Sequence, residues 1–358
     1  MSTRLCPQTG RRDDTKRSSS AKVAVMPRKS HHLEQILAIA DTQLGVVTTR
    51  QMIAAGISSS SISFWARNGG PLARVLPGTY VLASTPHTQE QREMAAMTYA
   101  AHDGQLTGVC ALAHYGARDL PLPLEDAPVH VLIPERRAVC SAGFVVIERT
   151  RRPPEPLRTS PHPLAPPARA LFDAARRHHQ HRSGVRAVVL EALRTGLVRP
   201  EHLATEIQEG QRRWTAPLRG ALADFLAGVV STPEAEVRDG LISAGITSFA
   251  WNVDLLTPRG EFVGRPDAYD ADCGLALEVD SRRHHSEDTD WARTLERNSR
   301  YAALGIVVIS IVPARFRQDP DGVIRQVAQA RQALAGRSAL GVVVRARDGR
   351  ILTGADLT

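Results

Sequence analysis

The sequence predicts an α+β protein of several domains. Its 358 residues exceed one ordinary domain, and 42% hydrophobic residues supply more than one core. Residues 31–83 show helical periodicity followed by a hairpin signal, while residues 231–335 alternate helix and strand signals. The resulting boundaries are a disordered tail at 1–30, units at 31–84, 85–230 and 231–336, and a tail at 337–358.

The first unit opens with an amphipathic helix, His32 to Ala40, whose Leu33, Ile36, Leu37 and Ala40 share one face. Thr48 or Thr49 can cap a second helix through Ala55, stopped by Gly56. Ser58 to Ser60 offer caps for a third helix through Arg67, ended by Asn68-Gly69-Gly70. Leu72–Leu76 and Thr79–Leu82 form a hairpin about Pro77-Gly78. Three helices and a hairpin make a winged helix-turn-helix pattern, whose third helix enters the DNA major groove. The expected reading face is Ser59, Ser60, Ser63, Arg67 and Asn68, with Arg74 on the wing. Such side chains reach base edges or phosphates. The same small fold also binds proteins, and then this face is merely solvated.

In the middle unit a helix is expected over 88–101, with strands near Leu106-Thr107-Gly108, Val129–Ile133 and Phe144–Ile147. Arg151 to Pro167 reads as an extended linker rich in proline and arginine. Helices follow at about 168–179, 183–195, 200–209 and 215–229. His178, His179 and His181 have no carboxylate or thiolate at ligand spacing, which makes them a solvated helix end rather than a metal site.

The third unit begins with a helix from Ser231 or Thr232 to Ala244. A three-stranded meander is expected over 249–256, 261–269 and 274–280, then a helix over 288–303. Ile306–Ile311 reads as a strand buried on both faces, and 320–335 as a last helix. Within it, Arg265-Pro266-Asp267, Glu278-Val279-Asp280 and His284-His285 crowd together. Strand alternation turns Leu275, Leu277 and Val279 to one face, and Ala276, Glu278 and Asp280 to the other. Antiparallel pairing through the turn at 270–274 brings Asp267 beside Glu278. Carboxylates so placed repel unless a cation or proton intervenes, and hard oxygen ligands suit Mg²⁺. A bound metal ion activates water against a phosphodiester, with His284 or His285 as proton carrier. The competing reading is that acids collect at strand ends and turns, as Asp270 and Asp272 do.

Net charge is +8 with pI near 9.8, and arginine carries it: Lys16, Lys22 and Lys29 are the only lysines. That balance suits a polyanionic partner and excludes a Walker phosphate loop. The scattered Cys6, Cys110, Cys140 and Cys273 argue against a zinc or disulfide framework and fit a cytoplasmic protein. No apolar run approaches a membrane span.

Residues 231–335 resemble the nuclease-like domains related to very-short-patch-repair endonucleases, within the restriction-endonuclease-like PD-(D/E)xK superfamily. The matching residues are Glu234, Arg265-Pro266-Asp267, Leu277-Glu278-Val279-Asp280, His284-His285, Arg297 and Gly305-Ile306-Val307-Val308-Ile309. The resemblance implies Asp267 and Glu278 as metal ligands, Glu234 nearby, and Asp280 in the slot of the superfamily lysine. Ser281 stands where glycine is usual, and the helix near Thr294 lacks a common aspartate. Residues 32–83 resemble the winged N-terminal domain of AbiEi-type antitoxins of type IV toxin–antitoxin systems, through Gly45–Thr48, Ala55–Ser58 and Arg74–Tyr80. The middle segment follows that layout through Val129–Val131 and Pro167–Asp173.

Two functions are therefore expected to compete. One is a Mg²⁺-dependent DNA endonuclease delivered by the winged helix, with Arg297 pairing to phosphate. The other is a regulator or antitoxin, with a cognate toxin as partner and a catalytically degenerate nuclease-like domain. A protein–protein adaptor without nucleic acid is the third option.

Overall fold

A computed structural model describes residues 31–82, 88–101, 103–121, 123–125, 127–158, 161–279, 288–337, 341–347 and 349–352. The expected N-terminal tail lies outside these residues. The protein is mixed α/β with several small sheets, and its chain divides into two compact units at Tyr99/Ala100. Among the described residues no helix is long and apolar enough to cross a membrane.

The first unit runs α1 (His31–Thr42), β1 (Val46–Thr48), α2 (Thr49–Ala54), α3 (Ser59–Trp65), β2 (Ala73–Leu76), β3 (Thr79–Val81) and α4 (Gln89–Ala100), which reaches the boundary. Thr48 caps α2 in a reciprocal box with Gln51, and Ser58 caps α3 by accepting from the Ser61 N–H. α3 ends at Trp65, so Arg67 and Asn68 fall in the turn beyond it rather than on the helix. The sheet order β1-β3-β2 adds a strand that the sequence did not announce. β1 is three residues long, too short for alternation to register. Ile36, Val47, Met52, Ile62 and Leu72 fill the core between helices and sheet.

The second unit begins with β4 (Gln105–Leu106) and α5 (Gly108–His114), where a single strand was expected through Gly108. Gly108 turns the chain at φ +62, and its backbone abuts the His130 imidazole. β5 (Val129–Pro134) and β6 (Val145–Thr150) pair in parallel. The stretch from Arg151 to Pro167 is not a free linker. Leu164 is fully buried, pairs with Leu157 and bridges to Leu106, which ties the stretch to β4. Helices α6 (Pro167–Arg177), α7 (Arg182–Arg194), α8 (Pro200–Glu209) and α9 (Ala216–Leu226) pack with α5 around Leu112, Leu171, Phe172, Val188 and Leu218.

Next come α10 (Thr232–Ser243), β7 (Ala250–Trp251), β8 (Asp254–Leu256), β9 (Phe262–Gly264), β10 (Ala268–Asp270) and β11 (Leu275–Val279). They are followed by α11 (Asp288–Ala303), β12 (Val307–Ile311), α12 (Pro313–Gln318), α13 (Pro320–Leu334), β13 (Val343–Arg345) and β14 (Ile351–Leu352). The expected meander divides between two sheets, ordered β12-β11-β10-β7 and β14-β13-β8-β9. The chain crosses between them at Asn252-Val253 and again at Arg265–Asp267. β12 is not buried on both faces, since Val307 and Val308 are half-buried and Ser310 is exposed, and it stands at the edge of its sheet beside β11. The expected C-terminal tail includes β13, which pairs with β8.

Alternation along β11 separates two cores. Leu275, Leu277 and Val279 pack with Val237, Leu241, Phe316, Val323 and Val327 of α10, α12 and α13. Ala276 and Tyr269 pack on the other face with Leu255, Val263, Tyr301 and Val344. Asp267 and Glu278 belong to that second face, two residues from Tyr269 and Ala276 respectively.

Candidate functional site

The acidic centre forms where the chain changes sheets. Ser231 caps α10, and its hydroxyl donates to Glu234 Oε1 at 2.7 Å. The Val230 N–H and the Asn252 side-chain amide donate to Glu234 Oε2 at 3.1 and 2.7 Å. Asn252 has φ 50, in the left-handed region that asparagine tolerates, and its N–H donates to the Asp267 carbonyl at 2.9 Å. The Val279 N–H then donates to Asp267 Oδ2 at 2.6 Å. The Ala268–Leu277 pairing of β10 with β11, continued outward, sets Asp267 opposite Glu278. Arg297 of α11 approaches Glu278 Oε2 at 3.3 Å.

This crowding has an electrostatic consequence. Burial, then the charges of Glu234 and Glu278, push the Asp267 carboxyl up to about 7, against the Val279 N–H and Arg297. Tyr301 of α11 is fully buried, and burial followed by Glu278 raises its hydroxyl above the ordinary phenol. Among the described residues the Tyr301 hydroxyl, Arg297 Nε and Asn298 Oδ1 are buried without a hydrogen-bond partner. Buried polar atoms of this kind ask for water or an ion.

Asp267 and Glu278 fit a hard cation as neighbouring carboxylates on one sheet face. Glu234 accepts three hydrogen bonds across its two oxygens and so holds Asn252 and the start of α10. Among the described residues no group of three or more His, Cys, Asp or Glu is arranged to hold a metal ion. Asp280, His284 and His285 lie outside the described residues. Arg297, expected on phosphate, here faces Glu278.

The expected nucleic-acid residues Ser59, Ser60, Ser63, Arg67, Asn68 and Arg74 are all exposed. The Ser58 and Ser60 hydroxyls lie 2.9 Å apart, which ties Ser60 to the cap. Arg74 stands on β2 opposite Tyr80, so two elements carry the face. Phe64 was missed. It is 62% exposed on α3, with the Arg67 guanidinium 5.4 Å over its ring. A phenylalanine among exposed serines was the available signal.

A buried polar cluster in the middle region was also missed. Arg169 Nε donates to both Asp173 oxygens at 3.0 Å, and the Thr107 hydroxyl adds a bond at 2.7 Å. Glu148 accepts from Arg176 at 2.6 Å and meets His130 Nε2 at 3.1 Å. Arg176 also bonds Gln211. Arg169, Asp173 and Arg176 share one face of α6 at i,i+4 and i,i+3 spacing, but Thr107, His130 of β5, Glu148 of β6 and Gln211 after α8 join them from distant positions. The cluster surrounds the motif Pro167–Asp173, and it serves to lock α6 onto the parallel strand pair. His179 stacks on Trp214 at 5.0 Å, which accounts for one of the three histidines nearby.

No protein-family model and no curated protein matches this chain. Among solved structures, the crystal structure of the RV2827C protein from Mycobacterium tuberculosis is similar over 56% of this chain and 80% of that one. The identity is 15% and the TM-score 0.38, a likeness too slight to carry an argument.

Proposed function

We propose that this protein binds DNA through its N-terminal helices and hairpin, acting as a winged helix-turn-helix, and cleaves DNA as a divalent-metal-dependent endonuclease at Asp267 and Glu278. The observation that carries the reading is the Asp267 carboxyl. Burial and two neighbouring carboxylates hold its proton to about pH 7, so a cation at that point would release it and relieve the repulsion.

Asp267 and Glu278 would hold Mg²⁺. The chemistry such an ion supplies is activation of water and neutralisation of charge on the phosphoryl oxygens. Glu234 fixes the backbone that presents Asp267, through Asn252. The Val279 N–H orients Asp267 so that one oxygen is anchored and the other remains for a ligand. Arg297 balances Glu278 and sets its direction.

Purified protein with Mg²⁺ or Mn²⁺ is expected to cut DNA, and Glu278→Gln to abolish the cutting while leaving DNA binding intact. Equal products from wild type and Glu278→Gln, or none from either, sink the reading. A second reading has its own support. Glu234 accepts three hydrogen bonds and Glu278 is paired with Arg297, which suits a degenerate domain in a DNA-binding regulator or type IV antitoxin-like protein with a toxin partner. Sequence-specific operator binding without cleavage, unchanged by Glu278→Gln, is its signature.

A further inference from the structure

A basic row lies beside the acidic centre. Asp254 on β8 is almost buried and stands across from Arg345 on β13 in the strand pairing. Arg265 follows β9, whose Gly264 pairs with Leu255. The three side chains therefore form a row across neighbouring strands β13, β8 and β9. Arg265 Nε donates to Asp254 Oδ1 at 2.7 Å, and Arg345 Nη2 to Asp254 Oδ2 at 2.9 Å. Burial pulls Asp254 upward, but the hydrogen bonds and charges of Arg345 and Arg265 outweigh it and hold the carboxyl below its ordinary value. A firmly ionised anchor thus fixes two guanidinium groups whose side chains remain 44% and 41% exposed. Each keeps N–H donors that Asp254 does not use.

Two further observations extend the row. Arg347 lies two residues past Arg345, is exposed, and has no ion-pair or hydrogen-bond partner among the described residues. It stands within electrostatic reach of Arg265, Glu234 and Asp254. Arg347 also rims a largely apolar cavity of about 770 Å³. Asp254 against Arg265, Arg345 and Arg347 leaves an excess of positive charge on the surface of the row. That surface adjoins the acidic centre, because Arg265 is two residues, or about 7 Å of extended chain, from Asp267. Val344 enters the core shared with Tyr269 and Ala276, so Arg345 and Asp254 stand on the outer face of that sheet, and Arg347 meets the acidic centre through Glu234, within its electrostatic reach.

We propose that Arg265, Arg345 and Arg347 form a phosphate-binding row that seats the DNA backbone beside Asp267 and Glu278, with Asp254 as its positioning residue. The inference rests on the nuclease reading for its ligand but makes a separate claim about binding. It assigns a substrate contact to the C-terminal strand, outside the expected nuclease-like domain. Arg265 and Arg345 are held rigidly and would fix the direction of the strand. Arg347, free to reach outward, would supply a contact without disturbing the fold.

The test measures affinity of the full chain for a short random-sequence DNA duplex in EDTA over a series of KCl concentrations. Arg347→Ala is expected to reduce the log–log salt slope by about 0.9 and to weaken binding roughly fivefold to tenfold at 0.1 M salt, the release attached to one phosphate contact. Arg347→Glu weakens it further, and neither changes the melting temperature. Arg325→Ala, an exposed arginine of α13 on the other sheet face, serves as control and leaves slope and affinity unchanged. An unaltered slope in both Arg347 variants overturns the proposal, as does an equal loss in Arg325→Ala or a wild type that does not bind DNA. Where wild type cuts DNA, Arg347→Ala raises KM and spares kcat. Loss of slope at Arg347 in a protein that never cuts DNA keeps the row and removes the nuclease.

Discussion

Replacing Asp267 by asparagine should stabilise the metal-free protein at alkaline pH. The ordinary aspartate value is 3.8, and here the carboxyl titrates at about 7. At about 1.36 kcal/mol per pH unit, ionising it in the fold costs at most about 4 kcal/mol. The sign follows from proton linkage. The folded state holds a proton that the unfolded chain has lost between pH 3.8 and about 7, so stability falls as pH rises through that window. Asparagine has no charge to bury and keeps an oxygen for the Val279 N–H. Its amide hydrogens still need partners, at a cost of about 1–2 kcal/mol. The net gain is about 2 kcal/mol at pH 8, or roughly 4–8 °C in the unfolding transition of the second unit. At pH 5 the wild-type carboxyl already carries its proton, and the gain disappears. The assay is thermal unfolding of both proteins at pH 5 and 8 in EDTA, repeated with Mg²⁺. Mg²⁺ should raise the wild-type transition at pH 8 and leave Asp267→Asn unmoved. A variant less stable than wild type at pH 8, or equally stabilised at both pH values, refutes the reasoning.

Other outcomes follow from the same contacts. Arg169→Ala removes the guanidinium that bonds both oxygens of the buried Asp173 and leaves Arg176 at 3.9 Å, and should cost about 3–5 kcal/mol in urea unfolding; under 1 kcal/mol would mean the pair is dispensable. Burial pulls Glu148 upward, but the hydrogen bond and charge of His130 and then Arg176 prevail and hold it at about 2. Its contribution is complete above the unfolded value of 4.5 and is lost as pH falls toward about 2, so Glu148→Gln should flatten that acid limb of the stability curve. Gly264→Ala would set a Cβ 2.5 Å from the Tyr301 hydroxyl. The expected loss is about 1–3 kcal/mol, read by calorimetry, together with weakened Mg²⁺ binding. Thr48→Ala breaks the capping box of α2 and should lower stability of the first unit by about 1 kcal/mol.

The parts of the fold legible in the sequence were those set by local chemistry. Ser231 and Gly245 bracket α10 as a cap and a left-handed stop, and Pro77-Gly78 turns the hairpin. The adjacency of Asp267 and Glu278 followed from antiparallel pairing through a short turn. Other features depended on distant partners. Gly108–Leu112 is continuously buried, so no periodicity there distinguishes the helix from a strand. β13 finds β8 across 91 residues, between Arg345 and Asp254, which a reading of neighbours cannot supply. The division of the meander was hidden because β7 and β8 together look like one strand of ordinary length. The conformation of Asn252 breaks it. Glu234 was expected near the centre, but the bonds that engage it depend on Ser231, Val230 and Asn252 together, which no motif displays.

The bond from the Val279 N–H to Asp267 makes one backbone amide an indicator of the whole centre. That nitrogen lies at the end of β11, where the ladder gives way to a side-chain acceptor. Whatever changes the charge on the carboxylate changes the field at this hydrogen. Its chemical shift in a nitrogen–proton spectrum should follow the Asp267 proton through pH 7 and move again when a cation arrives. The occupancy of the centre can thus be followed at a single peptide group, before any substrate is known.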